Sequence, residues 1–344
     1  MSYYDGTKLL SLKDLNGQEP EIYICTSNRS AGKTTYYSRY LVNRFMKKGE
    51  KFGLLYRFNY ELDNVAEKFF KEIGNLFFNG HQMTSHKAAL GIYHTLEFDG
   101  ELCGYAIALN NADQLKKYSH FFSDITRIFF DEFQSETDHY CPNELVKFQS
   151  LHTTIARGGG QQYRRVPVIM VSNPITLLNP YYSAMHISSR LNDKIIFLRG
   201  DGWVLEQGYN EGASIAQKES AFNRAFKDSR YSAYSQQGVY LNDSKAFVEK
   251  MCGRCQYYLT IKYMDSNYGI YTYPDAGIIY CSDKFDQTFP FRIAVTTDDH
   301  QINYVMLQKS DFFIKKLRFL FQKGAFRFKN LACKEAIMTA LSFT

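Results

Sequence analysis

No apolar run in this 344-residue chain approaches the roughly 18 residues that a membrane-spanning helix needs. The opening stretch, residues 1–10, is polar and aromatic, without the profile of a signal peptide. A cytosolic protein with no membrane partner is therefore expected. Cysteine is scarce and scattered: of seven, only Cys252 and Cys255 form a CxxC, and neither a second CxxC nor a close histidine pair completes a zinc site. Reduced, structural thiols are the expectation. Charge of either sign is nearly balanced, 41 Lys plus Arg against 35 Asp plus Glu, and the resulting +6 is too weak an average to name a partner. Internal repeats and low-complexity tracts are missing as well. At 45% hydrophobic and 22% charged the chain is neither disordered, collagenous nor a coiled-coil rod. What it has in excess is aromatic residues, 28 Phe and 27 Tyr, which by themselves fix no function. Its length suits two domains with substantial cores.

From Glu21 to about Arg199, short β-branched or aromatic runs alternate with helical patterns, as in a mostly parallel sheet with crossover helices. Strands are predicted over 21–26, 52–57, 125–130 and 166–171, and helices over 33–46, 61–73 and 143–156. Alternating residues around Asp99-Gly100 predict a hairpin over 92–109. Residues 1–200 thus read as one α/β domain. Residues 201–245, punctuated by Gly208, Gly212 and Gly238, read as a polar linker or small helical subdomain with a helical stretch over 213–229. Residues 246–344 carry four strand-like runs and then two helical patterns, near 311–321 and 331–341, which predicts a second, α+β domain.

The most informative stretch is Ser27-Asn28-Arg29-Ser30-Ala31-Gly32-Lys33-Thr34, followed by Thr35, between an apolar strand and a helix. Its last three residues match the phosphate-loop (Walker A) pattern of P-loop NTPases; Ser27 departs from it, where the pattern has Gly. In such a loop, backbone N–H groups and the helix N-terminus cradle phosphates, Lys33 reaches the β and γ oxygens of ATP, and the Thr34 hydroxyl binds Mg²⁺. The bland alternative is a lysine that opens a helix by chance. About 100 residues downstream, Ile128-Phe129-Phe130-Asp131-Glu132 is an apolar strand ending in two acids. Asp131 can hold Mg²⁺ and Glu132 can polarise the attacking water, or the two acids simply lead a strand into a surface loop. A third apolar strand ends in Ser172-Asn173. The Asn173 amide is a candidate sensor of the γ-phosphate, although Asn before Pro is also common in turns. Arg29, inside the loop, and Arg157, at the end of a helix and before Gly158-Gly159-Gly160, are the candidate transition-state arginines. For Arg157 the competing reading is a cation favouring a helix dipole.

The ordered set formed by Ser27–Thr34, Gly104-Tyr105-Ala106-Ile107-Ala108-Leu109, Phe129-Phe130-Asp131-Glu132-Phe133, Pro142-Asn143-Glu144 and Ser172-Asn173 through Asn179-Pro180-Tyr181 resembles the DNA-packaging ATPases, terminase-like motors, of small podophages with protein-primed linear genomes. The likeness covers most of residues 15–200 and continues more weakly through 244–250 and 324–330. It implies a P-loop NTPase of the additional-strand, catalytic-glutamate type, followed by a C-terminal domain like a ribonuclease-H-like nuclease that has lost its metal-binding acids. It also implies a homopentameric ring on the portal of an empty procapsid. That ring would drive double-stranded DNA with its terminal protein inward, with a scaffold RNA where one exists, in the host cytoplasm and not in the mature virion. By the resemblance Lys33 and Thr34 contact phosphate and Mg²⁺, Asp131 and Glu132 form the acid pair, and Arg157 is a finger acting on a neighbouring subunit. Ser27 and Ser30 replace glycines of the family loop, and the 158–163 loop is longer. Asp283, Asp286, Asp298 and Asp299 do not align to a nuclease site, so no nuclease activity is expected.

Two basic clusters remain. Between Lys309 and Lys334, eight cations, among them Lys315, Lys316, Arg318, Lys323, Arg327 and Lys329, face one acid, Asp311, and interleave with Phe. Such a cluster suits nucleic acid or portal contact, or a solvated helix face over a Phe core. Lys116-Lys117, before the Asp131 strand, is a candidate DNA contact in the pore of a ring, or an ordinary exposed turn. Outside the motor reading stand a P-loop helicase or other nucleic-acid-dependent ATPase, a small-molecule kinase, and a non-catalytic nucleotide- or RNA-binding assembly protein.

Overall fold

A computed structural model describes residues 4–137, 139–157, 162–177, 179–188, 190–191, 194–237, 240–241, 243, 247–308 and 312–342. Gly158–Gly160, Gly238, Lys309 and Asp311 lie outside the described residues. The chain divides into two compact units, Met1–Ile175 with Asp193–Leu241, and Thr176–Asn192 with Asn242–Thr344.

The first unit is built on a nine-stranded sheet: β1 (Ile22–Thr26), β2 (Lys51–Tyr56), β3 (Met83–Ala88), β4 (Tyr93–Phe98), β5 (Glu101–Ala108), β6 (Ile125–Asp131), β7 (Val168–Ser172), β8 (Phe197–Arg199) and β9 (Trp203–Gln207). The order is β3-β4-β5-β2-β6-β7-β1-β9-β8. From β5 to β9 every pairing is parallel; the outer pairs β3–β4, β4–β5 and β8–β9 are antiparallel. β7 therefore lies between β1, which leads into the candidate phosphate loop of residues 27–34, and β6, which ends in Asp131. That is the additional-strand arrangement expected. The inner strands are buried on both faces, which is why β1, β6 and β7 read as nearly unbroken apolar runs. Gly104 of β5 is set by a close approach: a Cβ there would lie 2.3 Å from the Phe52 carbonyl of β2.

The crossover helices are Lys33–Lys48, Asn59–Phe77 and Glu144–Ala156. Lys33–Lys48 is closed by Gly49 at φ 65°, whose N–H returns to the Phe45 carbonyl, and Lys47 and Lys48 occupy its last turn. The hairpin falls where expected, with Asp99 and Gly100 both at positive φ. β3 and β9 escape the periodicity argument: β3 alternates only weakly, and β9 begins beyond the expected boundary at residue 200. β9 pairs with β1 over its whole length, Ile22 with Trp203 through Thr26 with Gln207. This pairing joins the expected linker to the first unit. The helical stretch expected over 213–229 is broken in two, Glu211–Glu219 and Ala221–Ala225, because Ser220 caps the second helix through Asn223 N–H at 3.1 Å. A third helix, Arg230–Gln237, follows.

In the second unit, six strands are ordered β14-β13-β10-β11-β12-β15: β10 (Gln256–Tyr263), β11 (Ser266–Tyr273), β12 (Ile278–Ser282), β13 (Arg292–Ala294), β14 (Val305–Met306) and β15 (Phe326–Phe328). β10, β11 and β12 form an antiparallel meander, and β13 adds parallel to β10, the mixed order of the expected ribonuclease-H-like fold. Helices Phe312–Gln322 and Leu331–Ser342 share a core with the sheet through Ile314, Leu317, Cys333 and Ile337 against Leu259, Ile270 and Phe328.

A charged cluster ties the helix Lys33–Lys48 to β2 and β6. Arg44 donates to both Glu50 oxygens, at 2.5 and 2.6 Å, and Arg127 donates to the same carboxylate. The Arg44 hydrogen bonds, with the Arg127 charge, hold Glu50 down at about 2, against an ordinary 4.5. A depressed carboxylate stabilises the fold above its unfolded value and loses that contribution as pH falls toward the folded one. Glu50→Gln is accordingly expected to lower the urea midpoint at pH 7, and the gap to wild type to close between about pH 4.5 and 2. A pH-independent gap would contradict this.

Candidate active site

In parallel α/β sheets, ligands bind at the carboxyl ends of the strands where the strand order reverses. Here the ends of β1, β6 and β7 meet at one edge. Gly32, at φ 94°, turns the loop into the helix that begins at Lys33. The first-turn N–H groups of that helix have no intrahelical acceptors.

Lys33 is buried. Its ammonium donates to the Ser27 carbonyl at 3.1 Å, the Ser27 hydroxyl at 2.9 Å and Asn173 Oδ1 at 3.2 Å. Ser27, the departure from the glycine pattern, thus supplies two of the oxygens that hold the lysine. Thr34 Oγ1 donates to Asp131 Oδ1 at 3.3 Å. Desolvation, with the neighbouring Glu132 carboxylate, pushes Asp131 up to about 6, and burial pushes Lys33 down from its ordinary value. A hydroxyl beside a carboxylate is a hard-oxygen donor set suited to Mg²⁺, and a buried ammonium beneath a helix N-terminus suits a phosphate. The residues fit a magnesium nucleotide: Lys33 and the loop N–H groups would hold its phosphates, Thr34 and Asp131 its cation.

Glu132 is exposed and adopts φ 54°, a left-handed conformation that costs a non-glycine residue about 1 kcal/mol or more. Its N–H donates to Asp131 Oδ1 at 3.0 Å. Its carbonyl and that of Phe133 accept from Arg57, at 3.3 and 2.7 Å, and Arg57 is paired in turn with Glu144. Arg57 and Glu144 went unrecognised as site residues in the sequence. The only signal was a lone arginine directly after β2 and the acid of Pro142-Asn143-Glu144.

The helices of residues 211–237 also reach the loop. Asn28 and Asn210 exchange two hydrogen bonds, at 3.0 and 2.9 Å, and Gln217 donates to the Arg29 carbonyl and Ser30 Oγ. The Arg29 N–H donates to the Ser235 carbonyl. Its guanidinium pairs with Glu136 at 3.2 Å and donates to the Tyr231 hydroxyl, so it is engaged away from the loop. A cleft of about 320 Å³ runs from Arg29 through Thr35 to Asp131, Glu132 and Asn173. A second, of about 240 Å³, continues past Glu132 to Arg57, Tyr60 and His139.

Arg157 is exposed and lines a separate groove of about 630 Å³ with Lys116, His120, Ser119, Ser123, Ser150, Thr153 and Thr154. No phosphate-loop residue belongs to that groove. The helix that carries Arg157 is held at its other end by Glu144. Near Arg157 it is held by Arg164, which donates to the Ile155 carbonyl at 2.8 Å and to that of Ile125 at 3.0 Å. Lys116 pairs with Asp113 at 3.0 Å, and Lys116–Phe122 forms 3-10 turns interrupted by a kink at Tyr118 (φ −109°).

In the second unit, Arg318 donates to the Leu341 carbonyl at 2.6 Å, Arg327 pairs with Glu249 at 2.5 Å, and Lys329 pairs with Asp283. Lys315, Lys316 and Lys323 are exposed, Lys323 with its ammonium over the Phe319 ring. Asp299 is buried and accepts from Asp265 N–H and Thr296 Oγ1. Among the described residues, no three His, Cys, Asp or Glu are grouped to hold a metal.

The family model described as podovirus DNA encapsidation protein (Gp16) matches residues 2–341. The chain belongs to that family. It is 27% identical over 332 residues to the DNA packaging protein of Bacillus phage phi29, covering 95% of this chain and 93% of the relative. The corresponding protein of Bacillus phage B103 is 27% identical over 308 residues, 88% and 90% of the two chains. A chain of the bacteriophage phi29 genome packaging motor assembly superposes with TM-score 0.69 at 23% identity, over 99% of this chain and 97% of the other. The phi28 gp11 packaging motor gives 0.60 at 16%, over 98% and 97%. For members of this family, the contacts from residues 210–237 predict a specific outcome. Asn28→Ala, which removes both bonds to the Asn210 main chain, with Gln217→Ala is expected to weaken binding of a fluorescent ATP analogue several-fold while changing turnover at saturation less than twofold. Unchanged affinity would mean that these helices do not hold the loop.

Proposed function

We propose that the protein is an ATP-hydrolysing motor that drives double-stranded DNA into an empty procapsid through the portal, working as a ring of identical subunits, five by the resemblance. The carrying observation is the meeting of Lys33, Thr34, Asp131, Glu132 and Asn173 at the carboxyl edge of three adjacent parallel strands, in a chain of the encapsidation family. Magnesium ATP supplies the scissile phosphoanhydride. Lys33 neutralises phosphate oxygens, and Thr34 and Asp131 hold the cation. Glu132 accepts a proton from the attacking water, and Asn173, already on Lys33, reports the presence of the terminal phosphate.

Arg157 acts in trans. Its groove contains no residue of its own phosphate loop, which favours a role toward a neighbouring subunit's nucleotide over one in cis. Lys117 contacts DNA phosphates. Lys116 has a second reading, favoured by its place in the Arg157 groove: it serves the neighbour's nucleotide rather than DNA. The second unit is a docking module without nuclease activity, since Asp283 and Asp299 are engaged by Lys329 and by Asp265 and Thr296. Lys315, Lys316 and Lys323 are exposed cations of the cluster that face the portal or a scaffold RNA. The motor works in the host cytoplasm, docked on the procapsid, and takes DNA with its terminal protein.

Phosphate release stimulated by duplex DNA tests the reading. Glu132→Gln is expected to lower it by roughly 10² to 10⁴-fold; wild-type turnover, or no stimulation by DNA, would defeat the motor assignment. Mixing Arg157→Ala with Lys33→Ala protein is expected to restore part of the turnover, because each supplies what the other lacks across an interface. A mixture as inactive as its components would place Arg157 outside the shared site.

A further inference from the structure

Glu144 opens its helix behind Asn143, a left-handed residue at φ 55°. Its carboxylate is 3% exposed and faces Arg57, itself 7% exposed, with Arg57 Nε 2.9 and 3.1 Å from the two oxygens. The Cys141 N–H donates to the same carboxylate at 2.9 Å. The guanidinium lies over the Phe130 and Tyr140 rings, at 5.7 and 4.9 Å. Its terminal nitrogens reach the carbonyls of Glu132 and Phe133. The peptide so held is the one that begins at the left-handed Glu132.

Burying two charges costs desolvation that an apolar pair of equal volume would avoid. An arginine is nevertheless the side chain that can accept a carboxylate's grip at one edge and donate to two carbonyls at the other, because its donors are fixed in one plane. A lysine, with a single pivoting ammonium, cannot hold both. Left-handed backbone at a non-glycine residue persists where its surroundings over-determine it. Here the surroundings include Asp131 on the N–H side of Glu132, Arg57 on its carbonyl side, and the Val171 carbonyl, which accepts the Phe133 N–H at 3.3 Å.

We propose that Glu144 is a positioning residue for Glu132, acting through Arg57: the buried pair fixes the Glu132–Phe133 peptide, and with it the direction in which the Glu132 carboxylate meets the attacking water. Glu144 lines neither of the two clefts at the site. The inference rests on the reading of Glu132 as the proton acceptor.

The test uses the full chain with the Arg57→Met, Glu144→Leu double variant, which roughly keeps buried volume while removing both charges, both carbonyl donors and the acceptor of the Cys141 N–H. Melting temperature, affinity for a fluorescent ATP analogue with Mg²⁺, and kcat and KM for ATP are measured. Melting within a few degrees of wild type, unchanged analogue affinity, KM within twofold and kcat lowered at least tenfold are expected. A second pair, Glu144→Gln and Glu144→Asp, covers the case in which the double variant does not fold: Asp, which keeps the charge, is expected to recover part of the kcat that Gln loses. A folded double variant with wild-type kcat, or Glu144→Gln and Glu144→Asp both at wild-type kcat, would overturn the proposal. If Glu132→Gln is inactive beside such an active double variant, this inference alone fails. If Glu132→Gln itself turns over normally, the reading of the site fails with it.

Discussion

The register of three parallel strands governs the first unit. β7 pairs with β1 on one side and β6 on the other, so that Cys25, Val171 and Asp131 stand in one row. Slipping any of these strands by one residue would move its end about 3.3 Å and turn its side chains to the opposite face. The apolar faces of the three runs hold them in place. Because the rows are fixed, the polar residues directly beyond them arrive together: the phosphate loop after Thr26, the acids at the end of β6, and Asn173 after Ser172. The chemistry is placed by apolar packing that takes no part in it.

Desolvation acts on both signs of charge at this edge. It lowers the affinity of Lys33 for its proton and raises that of Asp131, so each is biased toward its neutral form. A polyphosphate beside the lysine and a divalent cation beside the aspartate reverse both biases. Under the proposed function, a ligand that brings the two charges together would be favoured over a simple anion that brings one.

The strands and the loop were legible because their signal is local. An unbroken apolar run followed at once by Gly32-Lys33-Thr34, by Asp131-Glu132 or by Asn173 carries the element and the candidate site in adjacent residues. What stayed hidden depends on pairings across long stretches of chain. β9 joins β1 across almost the whole unit, and nothing in the polar composition of 201–245 announces that its helices reach Asn28, Arg29 and Ser30. Arg57 and Glu144 are single charged residues whose partnership exists only after β2 and β6 have paired. The C-terminal basic cluster illustrates the converse: counting lysines and arginines does not reveal that Arg318, Arg327 and Lys329 are already committed within their own unit.

The Glu144–Ala156 helix is held near each end, by Arg57 at Glu144 and by Arg164 at Ile155. Its 13 residues make a strut about 20 Å long, and the anchors at both ends run to the strands: Arg57 follows β2, and Arg164 bonds the first residue of β6. The backbone of Arg157 therefore takes its position from the sheet, as a gauge block takes its length from the bench on which it was ground. Two copies brought side by side would measure their separation against the same hard reference.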